Sequence, residues 1–361
     1  DFVSYGLTSA LSYSHNGLKL DLGVNADDYA RDHYAFVHPD LGNPIYFNTG
    51  HKQDQAAFVK AALVRGRTTF FADVQGRHAE FRYTPDAQSG IGGSSIAWLF
   101  LNPKVGATYQ LTRPLSVYAT YGKTSREPAR SDMFAGFDNL DTSNVAFVGP
   151  LARVKPETVH DLEVGTNYRS PSLEVQANVY SMDFRNEISP IGALSYIGNP
   201  LNKNVARSYR RGLEADVTYR GLHRWLLSAN ATESMNRIRE YTDSSGDAPV
   251  TYHNVEPLLT PRFQSFARAQ FSATPAIDLA LQARYQSVSF LTNTSDRSDV
   301  LPDAADLDAS AEWKFGRNAL LVRANNLTNS KKYGSGYASG GEPYYFVLPP
   351  RNFFVTLRIG L

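Results

Sequence analysis

Apolar and polar residues alternate one by one in segment after segment of this chain. In "LEVQANV", Leu173, Val175, Ala177 and Val179 alternate with Glu174, Gln176 and Asn178. "LEADVTY" sets Leu213, Ala215, Val217 and Tyr219 against Glu214, Asp216 and Thr218, and "IDLALQARY" and "LDASAEWKF" repeat the pattern from Ile277 and Leu307. The last stretch, "RNFFVTLRIGL", puts Phe353, Val355, Leu357, Ile359 and Leu361 on one side, with Phe354 as the exception. A period of two means extended strands with one apolar and one wet face. No sustained 3.6 period occurs, so no helix is predicted. About fifteen such segments are long enough to cross a bilayer as β-strands.

The connections sort themselves by length. Short ones fall at 15–17, 65–67, 112–114, 170–172, 221–223, 274–276 and 316–318. Between them lie long polar ones near 30–50, 85–94, 126–155, 187–204, 238–258, 293–304 and 329–350. A two-sheet sandwich does not order its loops this way, whereas an up-and-down outer-membrane barrel does, with tight turns at one rim and long loops at the other. Tyr13, Tyr109, Tyr168, Tyr219, Trp225, Trp313 and Phe315 stand beside the short turns. Aromatic residues favour strand ends in general, but combined with the loop order they read as an interfacial girdle. The predicted fold is all-β, an antiparallel transmembrane β-barrel with apolar faces toward lipid and polar faces lining the interior.

With the long loops outside, both the first and the last strand run toward the periplasm. The strand count is then odd, while bacterial single-chain barrels have even counts. The expectation is a chain that lacks an odd number of preceding strands.

Composition narrows the field further. The 36 basic and 35 acidic residues nearly cancel, which gives no footprint for a nucleic-acid partner. The 361 residues contain no cysteine, so disulfides and thiolate metal sites are excluded. The 21 Tyr and 20 Phe against 3 Met suit a β-rich protein. No run approaches the roughly 18 apolar residues of a membrane helix, and "DFVSYGLTSALSYS" is not a signal peptide.

Five stretches, in order, resemble the C-terminal barrel of TonB-dependent outer-membrane receptors. They are "YATYGKTSREPARSDMF" (118–134), "KPETVHDLEVGTNY" (155–168), "RRGLEADVTY" (210–219), "RANNLTNSKKY" (323–333) and "PPRNFFVTLRIGL" (349–361). The resemblance covers about 95–361 well and the first ninety residues more loosely. It implies a barrel of the 22-stranded type, of which residues 1–361 would be the C-terminal part, the plug domain and the first strands being absent. It also implies active import of a scarce nutrient, with a ferric siderophore the leading expectation and cobalamin or an oligosaccharide as alternatives. The partners implied are the TonB complex, reached through a TonB box on the missing plug, outer-membrane lipid and lipopolysaccharide, and the small-molecule ligand of a single monomeric barrel. One departure stands out: the family usually ends in Phe or Trp, and this chain ends in Leu361.

Import needs no catalytic group, and no Ser/His/Asp arrangement in a strand–turn–helix setting is present, so neither an enzyme nor a cofactor is expected. The five motifs speak against a passive channel. Two loops carry candidate ligand residues. One holds Arg126, Arg130, Phe134 and Phe137; the other holds Tyr333, Tyr337, Tyr344, Tyr345, Phe346 and Arg351. Guanidinium groups beside aromatic faces suit an anionic, aromatic-bearing ligand such as a ferric catecholate. Tyr-rich loops could equally sit at the outer headgroup belt. Haem-receptor relatives place a histidine between the "REPAR" and "VKPET" positions, and this chain has none there. His33, His38 and His51 around one long loop, and Asp296, Asp299, Asp303, Asp306 and Asp308, read as a solvated rim more readily than as a metal site.

Overall fold

A computed structural model of the chain describes residues 1–244 and 248–360. Strands account for 69% of it and helix for 4%, as the alternation predicts. The strands of the first part are β1 (Phe2–His15), β2 (Leu18–Ala35), β3 (Tyr46–Arg65), β4 (Thr68–Thr84), β5 (Ser94–Gln110), β6 (Leu115–Arg126), β7 (Glu157–Arg169), β8 (Leu173–Leu194), β9 (Pro200–Tyr219) and β10 (Trp225–Asp243). Then follow β11 (Val250–Val255), β12 (Phe263–Thr274), β13 (Ile277–Gln286), β14 (Ser289–Phe290), β15 (Val300–Leu301), β16 (Ala304–Phe315), β17 (Asn318–Asn325), β18 (Tyr333–Ser339), β19 (Glu342–Val347) and β20 (Asn352–Arg358).

One antiparallel sheet of sixteen strands runs in chain order, β1 to β10, then β12, β13, β16, β17 and β20, with β11 added to β10. That path contains the expected fifteen strands. The remaining short strands form the hairpin pairs β14–β15 and β18–β19. All seven short connections are turns between consecutive strands. By contrast, several expected long loops are mostly strand. The 30–50 loop shrinks to 36–45, 187–204 to 195–199, and 329–350 contains the β18–β19 hairpin. Leu361 lies outside the described residues. The chain divides into two compact units, Asp1–Thr108 with Thr120–Leu162 and Met182–Ser208, and Tyr109–Ala119 with Glu163–Ser181 and Tyr209–Leu361.

In the first unit, register sorts the two faces of β2, β3 and β4 into rows. One face reads Leu18–Leu63–Phe70, Leu20–Ala61–Ala72, Leu22–Val59–Val74 and Val24–Ala57–Gly76. The next row, Ala26–Gln55–His78, is the first with polar side chains, and Asp28–Gln53–Glu80, Ala30–His51–Arg82 and Asp32–Thr49–Thr84 follow. The apolar band therefore ends at one level across three strands. Val24, Val59, Phe70 and Val74 are exposed, so this face is not the inside of a protein core. The other face is polar, with Lys60 3.6 Å from Asp73. Gly23 lies under Phe58 on that face: a Cβ there would meet the ring at 2.3 Å, so the close approach requires glycine.

The second unit repeats the division. Trp225–Phe271–Leu279–Ala311 and Leu227–Ala269–Leu281–Ala309 are rows of its apolar face. Its polar face carries ion pairs, Arg284 with Asp306 at 2.9 Å and Arg358 with Glu312 at 3.5 Å. Phe354 stands on the polar face opposite Arg323, which explains its place in the C-terminal pattern.

Candidate functional site

The site begins with three consecutive rows on the polar face of β2–β4. They are Tyr29–Lys52–Phe81, Arg31–Gly50–Tyr83 and His33–Asn48. Onto these rows folds the 127–156 connection, the longest of the chain. Its start is turned by a short helix, α1 (Arg130–Met133), whose Asp132 carboxylate accepts the Ala129 N–H at 2.8 Å. A second short helix, α2 (Val145–Val148), and a 3₁₀ turn at Leu151–Arg153 complete it. These are the helical turns that an alternation-based reading leaves out, because four residues carry no period.

Met133, Phe134, Leu140, Val148 and Leu151 of the connection bury themselves against Phe81 and Tyr83 of β4. Phe134 meets Tyr83 edge-on, ring centroids 4.9 Å apart, and is 0% exposed. The loop is thus a small folded body with its own core.

Its polar clasp centres on Asp138. The carboxylate accepts from Tyr46 Oη at 2.6 Å and Arg130 Nη1 at 2.8 Å, and lies 2.9 Å from His33 Nδ1. Arg130 also donates through Nη2 to Asn48 Oδ1 at 2.8 Å and to the Asp138 carbonyl at 2.5 Å, while its guanidinium lies 4.7 Å over Phe134. Tyr83 Oη accepts the Leu140 N–H at 3.0 Å. Burial alone would raise the Asp138 pKa, but the Tyr46 and Arg130 bonds outweigh it and hold the carboxyl below the usual range.

A second clasp lies at the start of the loop. Glu127 accepts from Lys52 at 2.6 Å and Arg77 Nη1 at 2.7 Å, and Arg77 Nε donates to both Asp54 oxygens at 3.0 and 2.9 Å. Burial opposes the charge on Glu127, yet the Arg77 and Lys52 bonds win and bring its pKa down to about 2. A carboxyl depressed from 4.5 contributes stability that is complete above about pH 4.5 and lost as pH falls toward 2. Hydrogen exchange of the loop amides should therefore be flat from pH 7 to 5, after correction for intrinsic rates, and lose protection below about pH 4. Glu127→Gln should make protection lower at pH 7 and less dependent on acid; an unchanged acid profile in that variant would remove Glu127 from the clasp.

Between the rows and the loop lies a cleft of about 750 Å³ whose lining includes Arg31, His33, Lys52, Trp98, Arg130 and Phe137. Arg31 makes no ion pair among the described residues.

The residues expected from sequence fall into different roles. Arg126 is half exposed and donates to Glu157 at 3.0 Å. Phe137 packs edge-on to Phe147 and near Tyr196 and lines the cleft. Arg130 is bound to Asp138 and Asn48 while lining the cleft, and Phe134 is enclosed in the loop's core. In the second unit, Tyr337 stacks on Tyr344 at 5.2 Å with Phe346 6.0 Å away, and this side of the β18–β19 hairpin is open. Tyr333 stacks on Tyr345 at 4.5 Å, and Tyr345 Oη donates to the Val300 carbonyl at 3.0 Å. Arg351 donates to the Leu327 carbonyl at 2.7 Å. His33 and His51 each face one carboxylate, Asp138 and Asp28, and Asp296 and Asp306 bond to Ser298 and Lys332.

Glu127, Asp138, Asn48 and Arg31 were not anticipated, and His33 was named only as part of a solvated rim. The contacts of Glu127 and Asp138 with β2–β4 join residues 50 to 105 positions apart, which no local pattern encodes.

Comparison with known proteins gives these faces a context. No curated protein is similar in sequence. Among solved structures, the ferric-catecholate import receptor Fiu from K12 E. coli, closed form, is 17% identical with a TM-score of 0.73, covering 99% of this chain and 54% of that one. The copper transporter OprC is 16% identical with a TM-score of 0.75, covering 99% and 56%. The siderophore receptor PiuA from Acinetobacter baumannii is 14% identical with a TM-score of 0.73, covering 99% and 55%. This chain thus spans about half the length of those proteins, and the likeness is one of fold. Residues 1–327 match the family described as "TonB dependent receptor-like, beta-barrel", a family of outer-membrane transport receptors. The chain therefore belongs to the β-barrel family of TonB-dependent receptors.

Proposed function

We propose that this chain is the barrel part of a bacterial outer-membrane receptor that imports a ferric siderophore, energised by TonB through a plug segment outside the chain. The observation that carries the reading is the cleft of about 750 Å³ on the polar face, where Arg31, outside any ion pair among the described residues, shares the lining with Trp98, Phe81 and Phe137. Cations next to aromatic faces suit an anionic ligand bearing aromatic rings. The open Tyr337–Tyr344–Phe346 face offers a second stacking surface of the same chemistry. Fold neighbours described as siderophore receptors support the same reading.

Trp98 gives the test its signal. The full-length receptor in detergent is titrated with ferric catecholates, ferric hydroxamates, cobalamin and maltooligosaccharides while tryptophan emission is followed. Saturable quenching by a ferric catecholate at about micromolar concentration or below is expected, weakened about tenfold by Arg31→Ala. A response to a sugar or to cobalamin, with silence across the ferric complexes, overturns the siderophore reading.

A further inference from the structure

The 127–156 connection buries one of two adjacent side chains and presents the other. In α2, Val148 belongs to the loop's core, whereas its neighbour Phe147 is 66% exposed. Arg153 holds the turn in that pose, donating to the Phe147 carbonyl at 2.7 Å and to that of Val148 at 3.2 Å. Phe147 does not stand alone. Phe137 pairs with it and with Tyr196, ring centroids 6.2 Å apart in each case, and Tyr196 is 68% exposed. Ile197, next along the chain, is exposed as well. Single apolar residues on a surface are ordinary, but a contiguous group marks a binding surface.

The two segments that carry the group are joined tightly. A Cβ on Gly136 would come within 2.4 Å of Leu201 and 2.7 Å of Ser195, so the loop and the β8–β9 hairpin touch there. Asn202 donates to the Asp132 carboxylate at 2.7 Å, and the Asp138 N–H reaches Tyr196 Oη at 3.4 Å. Phe137 and Ile197 also line the cleft, so the apolar patch is the cleft's continuation. Lipid covers the opposite face of the sheet, where Val59 and Val74 stand, and is not what fills this one. Phe147 and Tyr196 stand at 81° and 47° to Phe137 and leave no parallel slot for a flat aromatic group. An uneven apolar surface of this kind suits a flexible hydrocarbon chain.

We infer that the patch takes an acyl chain carried by the anionic ligand of the cleft, which makes the imported class an amphiphilic ferric complex. The inference rests on the siderophore reading proposed above and narrows it. With its charged part at Arg31, such a ligand continues past Phe137 and Ile197 and lays its chain on Phe147 and Tyr196. Each methylene removed from water there strengthens binding about fourfold.

The probes are ferric complexes of a catecholate and of a hydroxamate ligand, each N-acetylated or N-octanoylated, titrated against the full-length receptor in detergent while tryptophan emission is followed. Within the class that binds, the octanoyl complex is expected to bind about tenfold tighter or more. Phe147→Ser should weaken it about fivefold and leave the acetyl complex within about twofold, while Phe147→Leu, which keeps an apolar side chain, should retain most of the preference. Comparing parent with variant cancels partition of the chain into detergent. Equal affinity for the acetyl and octanoyl complexes, or a preference that Phe147→Ser leaves intact, overturns the inference. So does a patch covered by a second copy of the chain, seen in light scattering as a dimer that Phe147→Ser dissolves, with no acyl preference. Silence toward every complex fails the proposed function, and this inference falls with it, whereas a receptor that binds acetyl and octanoyl forms alike fails only the chain site.

Discussion

Asp138→Ala is expected to free the 127–156 loop from β2 and β3 while leaving the strands assembled. The side chain accepts from Tyr46 and Arg130 and faces His33, and the Arg130 side chain is only 15% exposed. Removing the carboxylate leaves a guanidinium enclosed by the Asn48 side chain, a backbone carbonyl and two rings, without its counter-charge. Breaking a buried pair from one side costs roughly 3–5 kcal/mol. That cost falls on the closed state of the loop, because the sheet ladders do not pass through Asp138. Amides within the loop's first turn, Phe134 bonded to the Arg130 carbonyl and Gly136 to that of Ser131, report it directly. Their exchange should quicken by about a hundredfold or more, at 1.4 kcal/mol per factor of ten.

Two companions separate charge from shape. Asp138→Asn keeps an acceptor for Tyr46 and should cost less. Arg130→Met in the Asp138→Ala background removes the stranded charge and should recover part of the loss. Strictly additive effects, or loop protection that survives Asp138→Ala, would mean that the Phe134 core alone holds the loop. Ligand affinity gives a second readout, since Arg130 and Phe137 line the cleft. A loop held by Asp138 predicts that binding weakens together with protection.

How much of this was legible in the sequence follows from where the pattern has a physical cause. Alternation is enforced wherever one face is apolar and the other polar, and there the strands matched: Leu279, Leu281, Ala309 and Ala311 fall on one face. In the upper parts of β2–β4 the pattern fades. Arg31, His33 and Asn48 on one face and Asp32 and Thr49 on the other are all polar, so an extended segment reads as a loop. The β18–β19 hairpin did carry a signal, the Gly340–Gly341 pair between two aromatic runs, with φ of 62° and 80° at its turn. The clasp carried none. Asp138 meets His33, Tyr46 and Asn48 only because 127–156 folds back across the sheet, and that fold is decided by the Phe134 core. Sequence named Arg130 and Phe134 within this loop but gave no sign of the residues they contact across the sheet.

The last expected result turns on a sign. Val59 lies in the middle of the apolar band of β3, and His51 lies on the same face four rows farther along. In a bilayer, arginine near the midplane of a barrel's lipid face costs about 2–4 kcal/mol, and near the interface about 0–1. Val59→Arg should therefore reduce the yield of inserted, heat-shifted protein and its denaturant stability in vesicles by that order, while His51→Arg should change little. Were this face open to water, the order would reverse. Val59 is 49% exposed, so exchanging it for arginine would remove apolar surface from water and leave stability the same or better. Lys60→Gln, on the polar face one residue away, controls for disturbance of the strand. If Val59→Arg inserts and resists denaturant as the parent does, or if His51→Arg costs as much, the band between Leu63 and Ala57 does not face lipid. The sharp end of that band at Val24, Ala57 and Gly76 makes the predicted step steep: Ala57→Arg and Gln55→Arg, neighbours on one face, should fall on opposite sides of it.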